Sequence, residues 1–377
     1  MRVATRVGDV RPDVWGDQTQ PGALFSSADW FRVAELNGSG MEFMLADAST
    51  PVALPYHSKP VGAGGAYDHE FHVLKPVLGE LSQEWNPLLV VGSWASTISR
   101  GALGNQTSPN FAMATEEVVS QALCLARERR KQAVSWPFLT RDAARLIGEL
   151  LPQNALILRS LPTTLLTVAH ESFDGYLAAL PSRSRWSFMR DERKFSNASL
   201  RLNIEPLSQI LHETTNLYVD GRQLGRGRLE TEATHNALTK VFGDRVLAFT
   251  ARQGEKLAAV ATAVVSHGGI YLRSFAADKE VSGSEHAYFV LTYNAPRRFA
   301  FEHGLRWIHA GVHAYEAKAR RDFRLWPLWT AFITSRNVTE RERDLGNAWN
   351  IAQESTWREW FKTKLGEDLP IEWKWQE

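Results

Sequence analysis

At 377 residues the chain exceeds one typical domain, and two domains are expected. A 44% hydrophobic and 23% charged composition is that of a soluble globular protein, and a net charge of +1 excludes a polycation that grips nucleic acid non-specifically. One cysteine, Cys124, excludes a disulfide framework and a Cys-rich zinc site; no apolar run reaches membrane-spanning length, no signal-peptide core opens the chain, and a cytoplasmic location is expected.

In chain order, the first clear element is a capped helix: "SSADWFRVAEL" carries Ser26 or Ser27 ahead of an apolar stripe, and Gly38 stops it. "MEFMLA" and "PVALPY" read as a hairpin, followed by a glycine-rich loop, "VGAGGAYDHEF", and a buried strand, "PLLVVGS". "TEEVVSQALCLARERRKQA" repeats Val118, Ala122, Leu125 and Ala126 at helical spacing and ends in basic residues that suit a helix C-terminus; Cys124 is expected on its buried side. "ALILRS" and "LLTVAH" are short strands. The helical period of "FDGYLAALPSRSRWSFMRDERKF" is interrupted at Pro181, and "PLSQILHETTNLYV" and "ETEATHNALTKVFG" are two further helices. "RVLAFTA", "KLAAVATAVVS" and "GIYLRSFAA" follow with short glycine-containing separators, as an antiparallel meander. A helix from about Glu285 to His303, kinked or restarted at Pro296, leads to the strand "RWIHAG". From Arg341 the chain reads as an amphipathic helix packed back on the body. The first half has a looser version of the same order. The expected fold class is therefore mixed α/β, with tandem domains at 1–172 and 173–335 and a C-terminal helical extension at 336–377.

The order helix, helix, three-stranded meander, helix, strand resembles the GNAT superfamily of acyltransferases. Over roughly Phe173 to Phe332, four stretches resemble its FemABX-like, peptidoglycan-biosynthesis-type branch: "FDGYLAALPSRSRWSFMRDERKF", "VFGDRVLAFTARQGEKLAAVATAVV", "YNAPRRFAFEHGLRWIHAG" and "KARRDF". The resemblance implies two GNAT-like domains, the first degenerate, and an enzyme in which an amine attacks an activated acyl group to form an amide. It implies an aminoacyl-tRNA or an acyl-CoA as co-substrate, no tightly bound cofactor, and the amine of a small molecule or peptide as acceptor. The chain departs from the branch where Tyr288 and Val290 stand in place of a His-x-Glu pair, and where Asp322 replaces a glycine.

"RQLGRG" (Arg222 to Gly227) has the Arg-x-x-Gly-x-Gly spacing that cradles a pyrophosphate, but it joins two helices ahead of the meander. Such a loop has to follow the last meander strand. There stands "AADKEVSGSEHAYF", whose Ser282, Gly283 and Ser284 remain candidates for holding an anion. The displaced fingerprint favours aminoacyl-tRNA over acyl-CoA. The helix "RSRWSFMRDERK" sets Arg183, Arg190 and Lys194 on one face, with Arg185 and Arg193 close by. It is either a solvated face balanced by Asp191 and Glu192 or a set of phosphate contacts to a tRNA acceptor stem. In "YDHEFH", His69 and His72 lack a third ligand at usable spacing, so no metal is expected; Asp68 and His69 are expected to line a groove that faces substrate.

Alternation along "GIYLRSFAAD" puts Tyr271, Arg273 and Phe275 on one face, with Leu272 and Ser274 on the other. In a GNAT-like sheet this strand lies beside "RWIHAG", and the splay between them exposes backbone groups able to hold an acyl carbonyl. Tyr271, Arg273, Ser274 and His309 are the expected substrate-binding residues there, together with Tyr288, Tyr293 and Asn294 of the intervening helix. The segment "GVHAYEAKARRDF" leaves that splay. Glu316 or His313 is the candidate base for the ammonium, Tyr315 the candidate acid for the leaving group, and Lys318 an oxyanion partner; Arg321 or Arg324 is suited to a carboxylate or phosphate. The plain alternative is a surface turn of ion pairs, Glu316 with Lys318 or Arg320.

Overall fold

The computed structural model describes residues 2–15, 20–46, 51–57, 68–93, 95–220, 228–281 and 283–374; the motif at Arg222–Gly227 and Ser282 lie outside the described residues. The chain divides into two compact units, Met1–Thr163 with Trp326–Glu377, and Thr164–Leu325.

In the first unit, one sheet has the antiparallel order Arg2–Ala4, Met41–Leu45, Val52–His57, Leu103–Gly104, with the expected hairpin at its centre. A second runs Leu88–Val90, Ala133–Leu139, Trp329–Thr334, Ala155–Arg159. Trp329–Thr334, which falls within the expected domain at 173–335, is thus one of the two inner strands of this sheet. All six of its residues are buried, and such a run fits only where strands flank it and both faces are covered. Helix Phe111–Glu128 buries Val118, Val119, Ala122, Leu125 and Ala126. Cys124, expected on that side, is exposed, because it stands two residues, about 200°, from Ala122 around the helix. The expected C-terminal helix spans Glu340–Trp360 and opens with a capping box between Thr339 and Glu342. Glu342 is buried and accepts a hydrogen bond from Trp85 Nε1 at 2.8 Å. Gly346 lets the helix settle on Leu156, whose Cδ1 would lie 2.7 Å from an added Cβ.

In the second unit the elements are β1 (Thr163–Thr167), α1 (Phe173–Ala179), α2 (Ser182–Asn197), β2 (Arg201–Pro206), α3 (Leu211–Asp220), α4 (Arg228–Phe242), β3 (Val246–Gln253), β4 (Lys256–Ser266), β5 (Gly269–Ala277), α5 (Ala295–Glu302), β6 (Trp307–Gly311), α6 (Tyr315–Ala319) and β7 (Arg324–Trp326). The sheet order is β7-β1-β6-β5-β4-β3-β2. The meander β3-β4-β5 is antiparallel, and β5 and β6 are parallel because a helical crossover joins them. That crossover is a short 3₁₀ and α segment, a π turn at Val290–Asn294, and α5, where Pro296 stands in the first turn and restarts the helix. The core between the meander and the crossover is built on small residues, Ala259, Ala261 and Ala263, which let Val290, Leu291 and Tyr293 approach the sheet.

Candidate active site

Register places the site. Along β4 and β5, Val264 faces Tyr271, Ala263 faces Leu272 and Thr262 faces Ser274, which leaves Arg273 as the extra residue of a bulge. A bulge reverses alternation. Val264 and Thr262 are two apart on β4, so Tyr271 and Ser274 share one face, whereas Leu272 and Phe275 share the other and pack on the core with Ala261 and Ala263. Simple alternation had grouped Tyr271 with Phe275 and Leu272 with Ser274; the extra residue overturns that grouping.

The parallel ladder of β5 and β6 runs from Gly269/Trp307 to Tyr271/His309. The bulge follows at once, and the strands part there, as the splay requires. His309 sits at the vertex, fully buried, with its ring 5.7 Å from that of Tyr271. Burial, reinforced by the positive charges of Arg273 and Lys318, pushes its pKa down to about 3, so the imidazole is neutral.

Beyond β6 the chain turns sharply, with positive φ at His313 (66°), Ala314 (50°) and Asp322 (67°). Lys318 reaches back under this turn. It is 4% exposed, and its Nζ donates to the carbonyls of Ala310 (2.6 Å), Gly311 (3.2 Å) and Val312 (2.9 Å). Burial pushes its pKa down to about 7. All three of its donors are engaged by the chain, so the side chain expected to face an oxyanion instead fastens the strand end. Arg321 is likewise engaged: it is buried, donates Nε to Asp191 Oδ2 at 3.1 Å and stacks 3.6 Å over Phe289. The carboxylate it holds is the protein's own. Asp322 tolerates the left-handed backbone where the branch has glycine, and accepts a hydrogen bond from the Tyr176 hydroxyl at 3.2 Å.

The outward side of the same turn is different. Glu316 on α6 and Arg320, which caps its C-terminus, form an ion pair that is partly exposed. They line a cleft of about 380 Å³ whose other wall is α2, with Arg183, Trp186 and Arg190. Trp186 is 61% exposed, and the Arg190 guanidinium lies 4.9 Å over its ring. Thus the basic helix and the charged turn, far apart in sequence, face one cavity. Tyr315, partly buried, has its pKa pushed up to about 12 by burial and stays a phenol at neutral pH.

The FemAB-like family model, described as peptidoglycan biosynthesis/recognition, matches residues 64–342. The chain belongs to the FemAB-like family. Among solved structures it is similar to FemX (TM-score 0.52, 12% identity, 88% of this chain and 97% of FemX). It is also similar to a conserved protein of unknown function from Bacteroides thetaiotaomicron VPI-5482 (TM-score 0.52, 11% identity, 81% and 89%). No curated protein matches. The family's description relates this FemAB-like protein to peptidoglycan biosynthesis or recognition, and the likeness to FemX shows the fold the two share. Among the described residues no helix is long and apolar enough to cross a membrane, and no group of three or more His, Cys, Asp or Glu side chains is placed to hold a metal.

The remaining expected residues divide clearly. Ser274 and Arg273 are half-buried at the splay, and His313 is exposed beside it. Tyr293 and Asn294 are fully buried in the FemAB-like core, the former bonded to the Tyr288 hydroxyl (3.0 Å) and the latter to Glu192 (3.0 Å), so neither presents a binding surface. Arg185 donates to the carbonyl of Ala178, Arg193 and Lys194 are exposed farther along α2, and Arg324 is exposed on β7. In the first unit, Asp68 accepts from the Phe71 amide, and buried His69 contacts Thr330 Oγ1 at 2.5 Å; these bonds are internal to that unit. Sequence reasoning missed Trp186, whose i, i+4 spacing to Arg190 was the available signal, and it placed Asp191 on a solvated face, whereas Asp191 is the buried anchor of Arg321.

Proposed function

We propose that this FemAB-like protein is an N-acyltransferase that moves an aminoacyl group from tRNA onto the amine of a small molecule or peptide. The cleft between α2 and α6 carries the reading. An exposed indole stacked with a guanidinium suits an unpaired base, and Arg183, Arg190 and Arg320 suit the phosphates on either side of it. A pyrophosphate loop at the GNAT position is disfavoured by what occupies it. The Ser284 amide donates to the Val281 carbonyl and its hydroxyl to the Asp278 carbonyl, and an added Cβ on Gly283 would lie 2.4 Å from Ala198 Cβ.

In the reaction the amine nitrogen attacks the ester carbonyl, the C–N bond forms, the C–O bond to ribose breaks, and the ribose oxygen leaves with a proton. Backbone amides at the splay polarise the carbonyl. Glu316, which lines the cleft, or His313, exposed three residues before it, takes the ammonium proton; Tyr315 gives one to the leaving oxygen and regains one from the nitrogen as the amide forms. The test incubates the protein with tRNA charged with a labelled amino acid and a panel of amines. Label should enter an amide product, and ribonuclease treatment of the charged tRNA should abolish it. Product formed from acyl-CoA and indifferent to ribonuclease would overturn the tRNA donor.

A further inference from the structure

The bulge at Arg273 puts Ser274 directly across from Thr262, and their hydroxyls are 2.7 Å apart. Tyr218, near the end of α3, buries its hydroxyl without a hydrogen-bond partner of its own among the described residues. The Thr262–Ser274 pair sits in an otherwise apolar stripe, because the neighbours of Thr262 on the same face of β4 are Val260 and Val264. Two hydroxyls hold two protons, and the contact that links them uses only part of that capacity. Thr262 is sealed from solvent, whereas Ser274 is half-buried, so the unused capacity emerges at Ser274. Ser274 also stands three residues past Tyr271, the last residue of β5 paired to β6, and so lies on the open arm of the splay.

We propose that Ser274 accepts a hydrogen bond from the attacking acceptor amine, and that Thr262 is the positioning residue that holds its hydroxyl in the receiving orientation. This rests on the acyl-transfer reading above. The ligand class is an uncharged primary amine: the Arg273 guanidinium, next in sequence, disfavours an ammonium at this place. Ser274 forms no covalent bond and keeps its own proton; its contact turns the nitrogen lone pair toward the acyl carbon.

The test uses the full chain and four variants, Ser274→Ala, Thr262→Val, Thr262→Ser and Tyr218→Phe, with steady-state transfer from charged tRNA and thermal unfolding measured side by side. Ser274→Ala and Thr262→Val should raise the acceptor KM at least fivefold and leave the donor KM unchanged, and Thr262→Ser should recover most of the loss. Tyr218→Phe, which removes a hydroxyl bonded to neither, should leave the acceptor KM within about twofold of wild type. An unchanged acceptor KM in Ser274→Ala and Thr262→Val, or losses that simply follow melting temperature, would overturn the proposal. If the wild type transfers no acyl group, the functional reading fails by itself. Saturation-transfer NMR with glycinamide at about pH 9, where an α-amine of pKa about 8 is mostly uncharged, then decides this one: weaker binding in both variants supports it, and equal or absent binding sinks it.

Discussion

Asp191→Ala should be the most damaging single change around the cleft. Asp191 and Arg321 are 3% and 4% exposed, and the carboxylate is the anion that Arg321 is ion-paired with. Removing it leaves a guanidinium buried over Phe289, and breaking one side of such a pair costs about 3–5 kcal/mol. For a domain of this size, at about 2–4 °C per kcal/mol, the melting temperature should fall by roughly 6–20 °C. Replacing both partners by apolar residues of similar volume, Asp191→Leu with Arg321→Met, removes the stranded charge and should recover most of the loss. Calorimetry on the full chain would follow the transition for all three proteins. A shift of less than about 2 °C in Asp191→Ala, or a double variant as unstable as the single one, would refute the argument that this pair fastens α2 to the turn after α6.

Trp186→Ala should weaken the tRNA donor by about 1–3 kcal/mol, the range for one stacked base, read as roughly a 5- to 150-fold rise in donor KM; an equal effect on the amine would exclude stacking. Arg190→Ala should reduce the slope of log affinity for charged tRNA against log salt by about one, and an unaltered slope would remove Arg190 from the phosphate contacts. Gly269→Ala should lower stability by about 1–3 kcal/mol through overpacking, because the new Cβ would lie 2.0 Å from Trp307 Nε1 where β5 meets β6; a wild-type unfolding curve would show that the Trp307 ring gives way freely. Stability should fall as pH drops below about 6.5, since unfolded histidine takes up a proton there while His57 and His309, held by burial near 4 and 3, stay neutral. The loss is up to about 1.4 kcal/mol per pH unit for each, ending near pH 4 for His57 and near pH 3 for His309, and urea unfolding that does not change between pH 7 and 5 would contradict it.

What the sequence made legible was whatever depends on short range. The meander β3-β4-β5 was readable because strand period and glycine turns act locally, and α1 and α2 because Pro181 breaks one helical pattern into two. The strand Ala133–Leu139 and the helix Arg141–Leu150 went unread: the first contains a proline, and the second buries only three of its ten residues. The face of Ser274 was beyond reach for a different reason. Nothing in "GIYLRSFAAD" marks a bulge, because an extra residue is defined by its partner strand, and one residue of slip exchanges the two faces of everything after it. Tyr293 and Asn294, expected to bind substrate, lie in a π turn that buries both, and the sequence carries no mark of that turn.

The segment "GVHAYEAKARRDF" is therefore two things at once, divided by the side of the chain each residue occupies. Lys318, Arg321 and Phe323, the residues through which it resembles the FemABX-like branch, all point inward, to the β6 carbonyls, to Asp191 and to the apolar core. Glu316 and Arg320 point outward to the cleft. The inward set maintains the turn whatever the substrate is, so likeness in that set speaks for the fold. Choice of donor has to be made by groups that a donor can touch, which are the outward pair and the cationic, aromatic wall of α2. For that reason the tRNA reading is argued from Trp186, Arg190 and the closed surroundings of Ser284 rather than from the family's motif.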